Sequence, residues 1–274
     1  MRYGLLVGIN KYKEPGSDLA GCVNDVEDVY DYLTVYGGFD ERKIKVMTDH
    51  DATQVAMISW MKWLMTVGNG DGSPVELLLH YSGHGSQVKA KIGGDEADGL
   101  TEILCPYDID DHWDDPLSDD VLRDIFKAKP KTANLTVILD SCFSGGMSRM
   151  SKNHEKSRYR QAPGVDIPHQ HRLPTNRIGL KQAPDGNESM SMNHILMSAC
   201  RENQTAADAY IEGKYNGAFT YSIIKALGCV LTPTVRDLFY AATLTIRTDY
   251  EQRPCLYGKT SLKNRQFLGG PVTA

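Results

Sequence analysis

The stretch Leu135–Gly146, LTVILDSCFSGG, is the clearest indication of the fold in this chain of 274 residues. Its first five residues are aliphatic or β-branched, a composition typical of a strand that is buried on both faces of a sheet. Asp140, Ser141 and Cys142 follow at once, and a Ser-Gly-Gly turn comes after one further residue. Because ligands bind beyond the carboxyl ends of parallel strands, we expect functional residues to begin at Asp140.

Similar short apolar runs alternate with helical patterns on either side of this strand. The predicted strands are Tyr3–Ile9, Ile44–Thr48, Val75–Tyr81, Leu135–Leu139, His194–Ala199 and Cys255–Tyr257. The predicted helices are Cys22–Tyr36, Thr53–Val67, Leu117–Phe126, Ala218–Leu227 and Thr234–Tyr250. This alternation predicts an α/β fold with a central, mainly parallel sheet and helices on both faces.

The chain is expected to form a single domain over residues 1–274. It is long enough for one large core, and it contains no internal repeat. Residues 145–193 are rich in Pro, Gly, Ser and Arg and show no sustained periodicity. A loop of this length inside a compact domain is usually functional or disordered. We therefore expect one domain with a long internal linker.

The overall charge excludes one class of function, and its distribution is uneven. The formal net charge of −5 argues against a protein that coats nucleic acid. The hydrophobic fraction of 41% is that of a globular protein and excludes a disordered tail or a collagen-like rod. Residues 95–124 contain 12 acids and one basic residue, whereas residues 145–182 contain eight Lys or Arg and two acids.

Six cysteines are spread along the chain without a CxxC pair, at positions 22, 105, 142, 200, 229 and 255. Wide spacing in a chain of this size favours free thiols in a reducing compartment, so we expect a cytoplasmic protein. The apolar run Leu5–Ile9 is too short for a signal sequence or a membrane span. We expect Cys105, Cys229 and Cys255 to be buried thiols.

A second set of chemical groups follows the predicted strand Val75–Tyr81, where the chain reads Ser-Gly-His-Gly around His84. The glycines leave space around the imidazole and allow backbone N–H groups to approach a ligand closely. A single histidine at a strand end is more often structural, and a single cysteine is more often a small buried residue. Together, His84 and Cys142 indicate a thiol activated by an imidazole, with backbone donors for an oxyanion.

The segments Tyr81–Gly85 (YSGHG) and Asp140–Gly145 (DSCFSG) resemble the two catalytic blocks of metacaspases and orthocaspases, which are caspase-like cysteine peptidases. Further segments resemble blocks of this family in the same order: Gly21–Asp25, Gly94–Gly99, Leu117–Asp120, Ser198–Ala206 and Gly217–Tyr221. The resemblance extends from residue 1 to about residue 230 and implies a caspase–haemoglobinase fold. It also implies that residues 1–144 are the large-subunit-like part and residues 194–274 the small-subunit-like part.

The resemblance implies hydrolysis of peptide bonds after Arg or Lys. The thiolate of Cys142 would attack the scissile carbonyl, and His84 would act as general acid and base. The backbone N–H groups of Gly85 and Cys142 would be the oxyanion donors. No third catalytic residue is required, which agrees with the absence of an evident orienting partner for the histidine.

By the same similarity, the pocket for the P1 side chain is lined by Cys22, Asp25, Ser82 and Asp140. Two carboxylates in a partly desolvated pocket would hold a guanidinium or an ammonium group, and bidentate pairing would favour Arg. A P1 aspartate would instead need basic residues there, and the segments that supply these four residues, Gly21–Asp25, Tyr81–Gly85 and Asp140–Gly145, contain no Lys or Arg. Asp25 could also be an ordinary first-turn acid of its helix, and the two roles are compatible.

Three acidic residues, Asp98, Asp119 and Asp120, match positions close to the calcium site of metacaspases. Oxygen ligands of this kind suit Ca²⁺, and the alternative is a solvated acidic face. Some calcium-dependent members carry a further Asp shortly after the catalytic cysteine, where this chain reads Gly146–Arg149. Ca²⁺ is thus a candidate activator, and no cofactor is required for the chemistry itself.

The basic segment 145–182 lies between the two subunit-like parts. Its functional interpretation is a self-cleavage linker of a zymogen, and the alternative is a flexible surface loop. The residues that the expected P1 pocket would accept are Arg149, Lys152, Arg158, Arg160, Arg172 and Arg177.

Other classes of protein remain as alternatives. A catalytically silent caspase-like module would bind protein partners, although such relatives typically lose the histidine or the cysteine. A flavodoxin-like domain would show the same alternation but would need neither the segment Ser82–Gly85 (SGHG) nor the segment Asp140–Gly145 (DSCFSG). His84, Cys142 and nearby acids are of the residue types that bind zinc, but their spacing follows no zinc motif.

The expected partners are peptide or protein substrates, without nucleic acid or membrane, and the expected state is a monomer.

Overall fold

The structure, a computed structural model, describes residues 1–67, 73–89, 100–109, 116–142, 158–159, 192–201, 204–250 and 252–269. Within these ranges the strands are β1 (Arg2–Gly8), β2 (Ile44–Thr48), β3 (Val75–Ser82), β4 (Gly85–Lys89), β5 (Leu100–Leu104), β6 (Ala133–Asp140), β7 (Arg158–Tyr159), β8 (Ile195–Ser198), β9 (Ala207–Ile211), β10 (Lys214–Gly217) and β11 (Cys255–Tyr257). The helices are α1 (Cys22–Val35), α2 (Gln54–Thr66), α3 (Asp119–Lys127), α4 (Ala218–Cys229), α5 (Val235–Asp249) and α6 (Thr260–Lys263).

Six strands form the central sheet in the order β11-β8-β6-β3-β1-β2. The pairs β1–β2, β1–β3, β3–β6 and β6–β8 are parallel, and β11 is antiparallel to β8 at the edge. Strands β3 and β6 lie at the centre and are buried along almost their whole length. The predicted α/β fold with a mainly parallel sheet is confirmed.

Alternate residues of the central strands pack into two separate hydrophobic cores, because successive side chains of a strand point to opposite faces of the sheet. In β1, Leu5 and Val7 belong to the core that also contains the buried faces of α2 and α3. Leu6 belongs to the core on the opposite face, formed with α1, α4 and α5. The helices therefore cover both faces of the sheet, and the carboxyl ends of β1, β3 and β6 remain at one edge.

Two antiparallel hairpins are absent from the sequence-based prediction. Strands β4 and β5 form one hairpin, and β9 and β10 form the other, with β7 paired to the outer side of β9. The sequences of β4, β9 and β10 (GSQVK, ADAYI and KYNG) contain few aliphatic residues, whereas β5 (LTEIL) contains three. A hydrophobic pattern predicts a strand only where apolar residues recur, so it does not identify these hairpins.

Side-chain caps decide where two of the predicted helices begin. Thr53 caps α2 as expected, with its hydroxyl accepting from the Ala56 N–H. Helix α3 begins at Asp119 rather than at the predicted Leu117, because the Ser118 hydroxyl accepts from the Val121 N–H at 3.3 Å. The Leu117 carbonyl accepts from the Leu104 N–H and so continues the pairing along β5.

The cysteine predictions are partly corrected by the structure. All six thiols are free, as expected. Cys105 is buried, but Cys255 is only partly buried and Cys229 is exposed. The prediction of a buried Cys229 is wrong because the residue ends α4, on the last turn, where the helix leaves the core.

No helix in the described part of the chain is both long and apolar enough to cross a bilayer.

Gly8 should be far less tolerant of a side chain than Gly4 in the same strand. A Cβ at Gly8 would lie 2.5 Å from the Cys22 carbonyl oxygen and 2.7 Å from Val26 Cγ2, whereas at Gly4 the nearest atom would be 3.5 Å away. We expect Gly8→Ala to lower the free energy of unfolding by about 2 kcal/mol or more, and Gly4→Ala by less than about 1 kcal/mol. Urea titrations of both variants measure this, and equal midpoints would contradict it.

Candidate active site

The predicted nucleophile and base follow neighbouring strands of the sheet. His84 comes two residues after the end of β3, and Cys142 comes two residues after the end of β6. The last residues of these strands, Ser82 and Asp140, are register partners. The parallel pairing therefore brings both segments to the same edge of the sheet.

The imidazole of His84 has an orienting partner that the sequence did not indicate. Its Nε2 lies 2.7 Å from the carbonyl oxygen of Ser17, in the loop before α1. Because a carbonyl oxygen only accepts, Nε2 carries the proton, and in the neutral ring the lone pair is on Nδ1. A backbone carbonyl has no side-chain signature, so the sequence could not identify this partner. The structure thus supplies an orienting partner where the sequence shows no evident one.

The thiol of Cys142 is enclosed by a segment from the C-terminal part of the chain. The N–H of Ala206 lies 2.7 Å from Sγ, and the Ala206 carbonyl oxygen lies 3.4 Å from it. The side chain has no exposed surface. Cys200 lies beside it, with its Sγ 3.5 Å from the Ser141 carbonyl oxygen and 3.3 Å from that of Gln204. A hydrogen bond to Cys142, together with burial, raises the pKa of the Cys200 thiol well above its usual range.

Asp25, predicted for the P1 pocket, is fully buried in the first turn of α1. Its carboxylate accepts from the Ser82 hydroxyl at 2.6 Å and from the Gly217 N–H at 2.9 Å and 3.1 Å. The amide of Asn216 donates to it at 3.2 Å. The carboxylate thus joins β3 to the end of β10, and its position in the first turn also suits the helix dipole.

Asp140, also predicted for the P1 pocket, is fully buried. It accepts from the backbone N–H of Thr220 at 2.8 Å and from the Thr220 hydroxyl at 2.9 Å. The same hydroxyl lies 3.1 Å from Nε2 of His80. Both predicted carboxylates are therefore held by the junction of β10 and α4.

The two other predicted pocket residues lie at the same end of the sheet. Ser82 contacts Asp25 directly and is the register partner of Asp140. Cys22, the first residue of α1, is fully buried, and its N–H donates to the Asn10 side chain at 2.8 Å. The structure thus brings Ser82, Asp25 and Asp140 together, with Cys22 one helical turn from Asp25.

Asp208 was missed by the sequence analysis. Its buried carboxylate accepts from the N–H groups of Ala20 and Gly21, both at 2.9 Å, just before α1 begins. It thereby fixes the chain just before α1, whereas the first N–H groups of the helix, those of Cys22 and Val23, are bound by the Asn10 side-chain oxygen. The available signal was one acid within the otherwise apolar run Ala206–Ile211.

The predicted calcium ligands are only partly within the described ranges, because Asp98 lies outside them. Asp119 is buried at the start of α3, and its Oδ2 accepts from Arg123 at 3.1 Å. Burial, and then the charge of Asp120, raise the pKa of Asp119 to about 6. Its Oδ1 is buried without a hydrogen-bond partner among the described residues. In those residues no three His, Cys, Asp or Glu side chains converge as a complete metal site would require.

Comparisons with known proteins assign the family. The chain matches the family model of the caspase domain over residues 1–265. It is 28% identical to metacaspase-1 of Candida glabrata over 97% of this chain and 75% of that protein. It is 30% identical to metacaspase-1 of Mycosarcoma maydis over 93% of this chain and 69% of that protein.

A solved structure of a protein from Geobacter sulfurreducens matches with a TM-score of 0.64 and 21% identity over 98% of each chain. This likeness concerns the fold, which agrees with the mainly parallel sheet described above. The match to the caspase domain and the identity to metacaspase-1 extend over most of the chain. The protein therefore belongs to the caspase domain family of cysteine peptidases.

Proposed function

We propose that the protein is a cysteine endopeptidase that cleaves after Arg or Lys, with Cys142 as the nucleophile and His84 as the general acid and base. The observation that carries this proposal is the orientation of His84 by the Ser17 carbonyl at 2.7 Å. With Nε2 protonated, Nδ1 can accept the thiol proton. A base fixed in one tautomer by a second group is the usual arrangement for an activated nucleophile.

The proposed reaction has two halves. The Cys142 thiolate forms a bond to the scissile carbonyl carbon, and the N–H groups of Gly85 and Cys142 stabilise the oxyanion. His84 gives its proton to the leaving amine, and an acyl-enzyme remains. His84 then takes a proton from water, which attacks the thioester and releases the carboxylic acid and the thiol.

The preference for a basic P1 residue is supported by the two buried carboxylates, Asp25 and Asp140. Ser82 and the backbone N–H groups of Gly217 and Thr220 are neutral donors, so they orient these carboxylates without neutralising them. Two oriented negative charges in a region of low dielectric would bind a guanidinium strongly.

Fluorogenic peptides ending in Arg, Lys or Asp test this proposal. We expect the wild type to hydrolyse the Arg and Lys peptides and Cys142→Ala to lose at least about 10³-fold in kcat/KM. Asp140→Asn should raise KM for the Arg peptide because it removes one of the two charges. Cys229→Ala, which removes an exposed thiol, is the matched control and should retain full activity.

The alternatives give different results in the same assay. A wild type that cuts none of the three peptides would support the catalytically silent module. A preference for the Asp peptide would overturn the assignment of the acidic pocket while leaving the thiol chemistry in place.

We further propose that the protein is a zymogen that cleaves itself within residues 145–182. The enclosed thiol of Cys142 supports an inactive starting state. Residues 158–159 pair with β9, directly after the Ala206 segment that covers the thiol. These two residues of the linker therefore lie beside the segment that covers the thiol. The rest of the segment lies outside the described residues.

Self-cleavage can be followed by gel electrophoresis and mass spectrometry. We expect the purified wild type to convert into two fragments with termini after Arg or Lys inside 145–182, because the acidic pocket would accept those side chains. Cys142→Ala should remain a single band, and Cys229→Ala should behave as the wild type does. A single wild-type band after long incubation, with and without Ca²⁺, would contradict the proposal.

We propose in addition that Asp98, Asp119 and Asp120 bind Ca²⁺ as an activator. The buried, unpartnered Oδ1 of Asp119 suits a hard cation, which takes several oxygen ligands. Bound Ca²⁺ would supply charge neutralisation at the start of α3 and take no part in peptide hydrolysis.

Calorimetric titration of Ca²⁺ into the Cys142→Ala protein, which cannot cut itself, measures this binding. We expect Asp119→Asn to weaken binding by about tenfold or more, since it removes a charged ligand. Asp124→Asn, on the same helix and paired with Lys127 at the surface, should have no effect. Equal affinities for the two variants, or no binding by the parent protein, would overturn the calcium site.

A further inference from the structure

Two buried tyrosine hydroxyls lie against the backbone of His84, one on each side of the residue. Tyr12 Oη accepts from the His84 N–H at 2.7 Å. Tyr81 Oη is 2.6 Å from the His84 carbonyl oxygen and 2.9 Å from that of Cys105. Tyr81 is fully buried and Tyr12 is almost so. Each of the two peptide groups that flank the proposed general base therefore lies within hydrogen-bonding distance of a tyrosine hydroxyl.

The phenols replace a missing bond of the β4–β5 ladder. The Cys105 N–H donates to the His84 carbonyl at 3.1 Å. In a regular antiparallel pair the His84 N–H would donate back to the Cys105 carbonyl. Instead, the Tyr12 hydroxyl accepts from the His84 N–H, and the Tyr81 hydroxyl lies within hydrogen-bonding distance of the Cys105 carbonyl. The segment is thus held to the core rather than only to its neighbouring strand.

The close approach of the hydroxyls explains the glycine before His84. A Cβ at Gly83 would lie 2.7 Å from Tyr81 Oη and 2.8 Å from Tyr12 Oη. Any side chain at this position would push both phenols away from the His84 backbone. The glycine and the two tyrosines therefore form one packing unit.

Tyr12 also restricts the imidazole itself. Its ring centroid lies 4.7 Å from that of His84, with the planes tilted by 42°. Burial raises the pKa of both phenols well above their usual range. Both hydroxyls therefore stay protonated and neutral across the working pH range, and the contact does not change with pH.

Tyr81 restricts the direction of the Gly85 N–H through the His84 carbonyl. The His84 carbonyl and the Gly85 N–H belong to one planar peptide group, so fixing the oxygen fixes the direction of the N–H. Gly85 pairs with Leu104, whose own N–H turns away from β4 to the Leu117 carbonyl. The pair is therefore a non-hydrogen-bonded one, and the Gly85 N–H points away from β5.

We propose that Tyr12 and Tyr81 are positioning residues: Tyr12 sets the direction of the His84 imidazole, and Tyr81 sets the direction of the Gly85 N–H as an oxyanion donor. The inference rests on the proposed function, since it assigns roles to groups that act through His84 and Gly85. Neither tyrosine touches the reacting atoms.

Steady-state kinetics of Tyr12→Phe and Tyr81→Phe in the full chain test this assignment. Each variant keeps the ring and removes one hydroxyl. We expect kcat for the Arg peptide to fall by about tenfold or more, with KM changed by less than about threefold, because the P1 pocket is untouched. Tyr3→Phe, which loses a hydroxyl at the surface, is the matched control and should retain the wild-type values.

Two further measurements separate the roles and remove the dependence on turnover. A peptide aldehyde ending in Arg forms a tetrahedral adduct, so Tyr81→Phe should weaken its binding by about tenfold or more. Amide hydrogen exchange over residues 83–86 should accelerate in both variants and not in Tyr3→Phe.

The outcomes distinguish this inference from the proposed function. If the wild type cuts no peptide but the exchange over residues 83–86 still accelerates in both variants, the peptidase proposal fails and the tyrosine contacts to the His84 segment stand. Unchanged kcat in both variants of an active enzyme, or unchanged exchange, would overturn the positioning role. A fall in kcat that is matched by an equal rise in KM would also overturn it.

Discussion

The burial of three carboxylates, those of Asp25, Asp140 and Asp208, is the constraint on which the rest of the structure depends. Removing a carboxylate from water costs several kcal/mol unless its oxygens are hydrogen-bonded. Each of these three forms hydrogen bonds that join residues 1–142 to residues 204–220, and Asp25 in addition accepts from Ser82. The two parts of the chain can therefore satisfy their buried charges only when they are packed together, and the candidate site lies at that junction.

Main-chain groups supply much of the candidate site. The Ser17 carbonyl orients His84, the Ala206 peptide contacts the Cys142 thiol, and the Gly85 N–H points away from its partner strand. Such groups move only when the backbone moves, so their positions depend on the sheet and on the loops that it anchors. The side chains of Tyr12 and Tyr81 contribute by holding that backbone in place.

The central sheet could be predicted from the sequence because its strands, such as β6, are continuous aliphatic runs that end in polar residues. The hairpin strands β4, β9 and β10 could not, because their residues are mostly polar or small and carry no strong period. His84 and Cys142 were found through their positions just after two strands, whereas the pocket residues Cys22, Asp25, Ser82 and Asp140 were assigned through the family resemblance. Ser17 and Tyr12 were missed, since a backbone carbonyl and a phenol in a loop have no pattern of their own.

The long connection between β6 and β8 has a consequence for the evolution and engineering of this fold. These strands are parallel neighbours, yet residues 141–194 separate them in the sequence. A crossover between such strands requires only about a dozen residues. The entropy of closing a loop grows only with the logarithm of its length, so doubling or halving it changes stability by about 0.6 kcal/mol. Outside Cys142 and the residues of β7, the connection can thus change in length at little cost in stability while the sheet keeps its register.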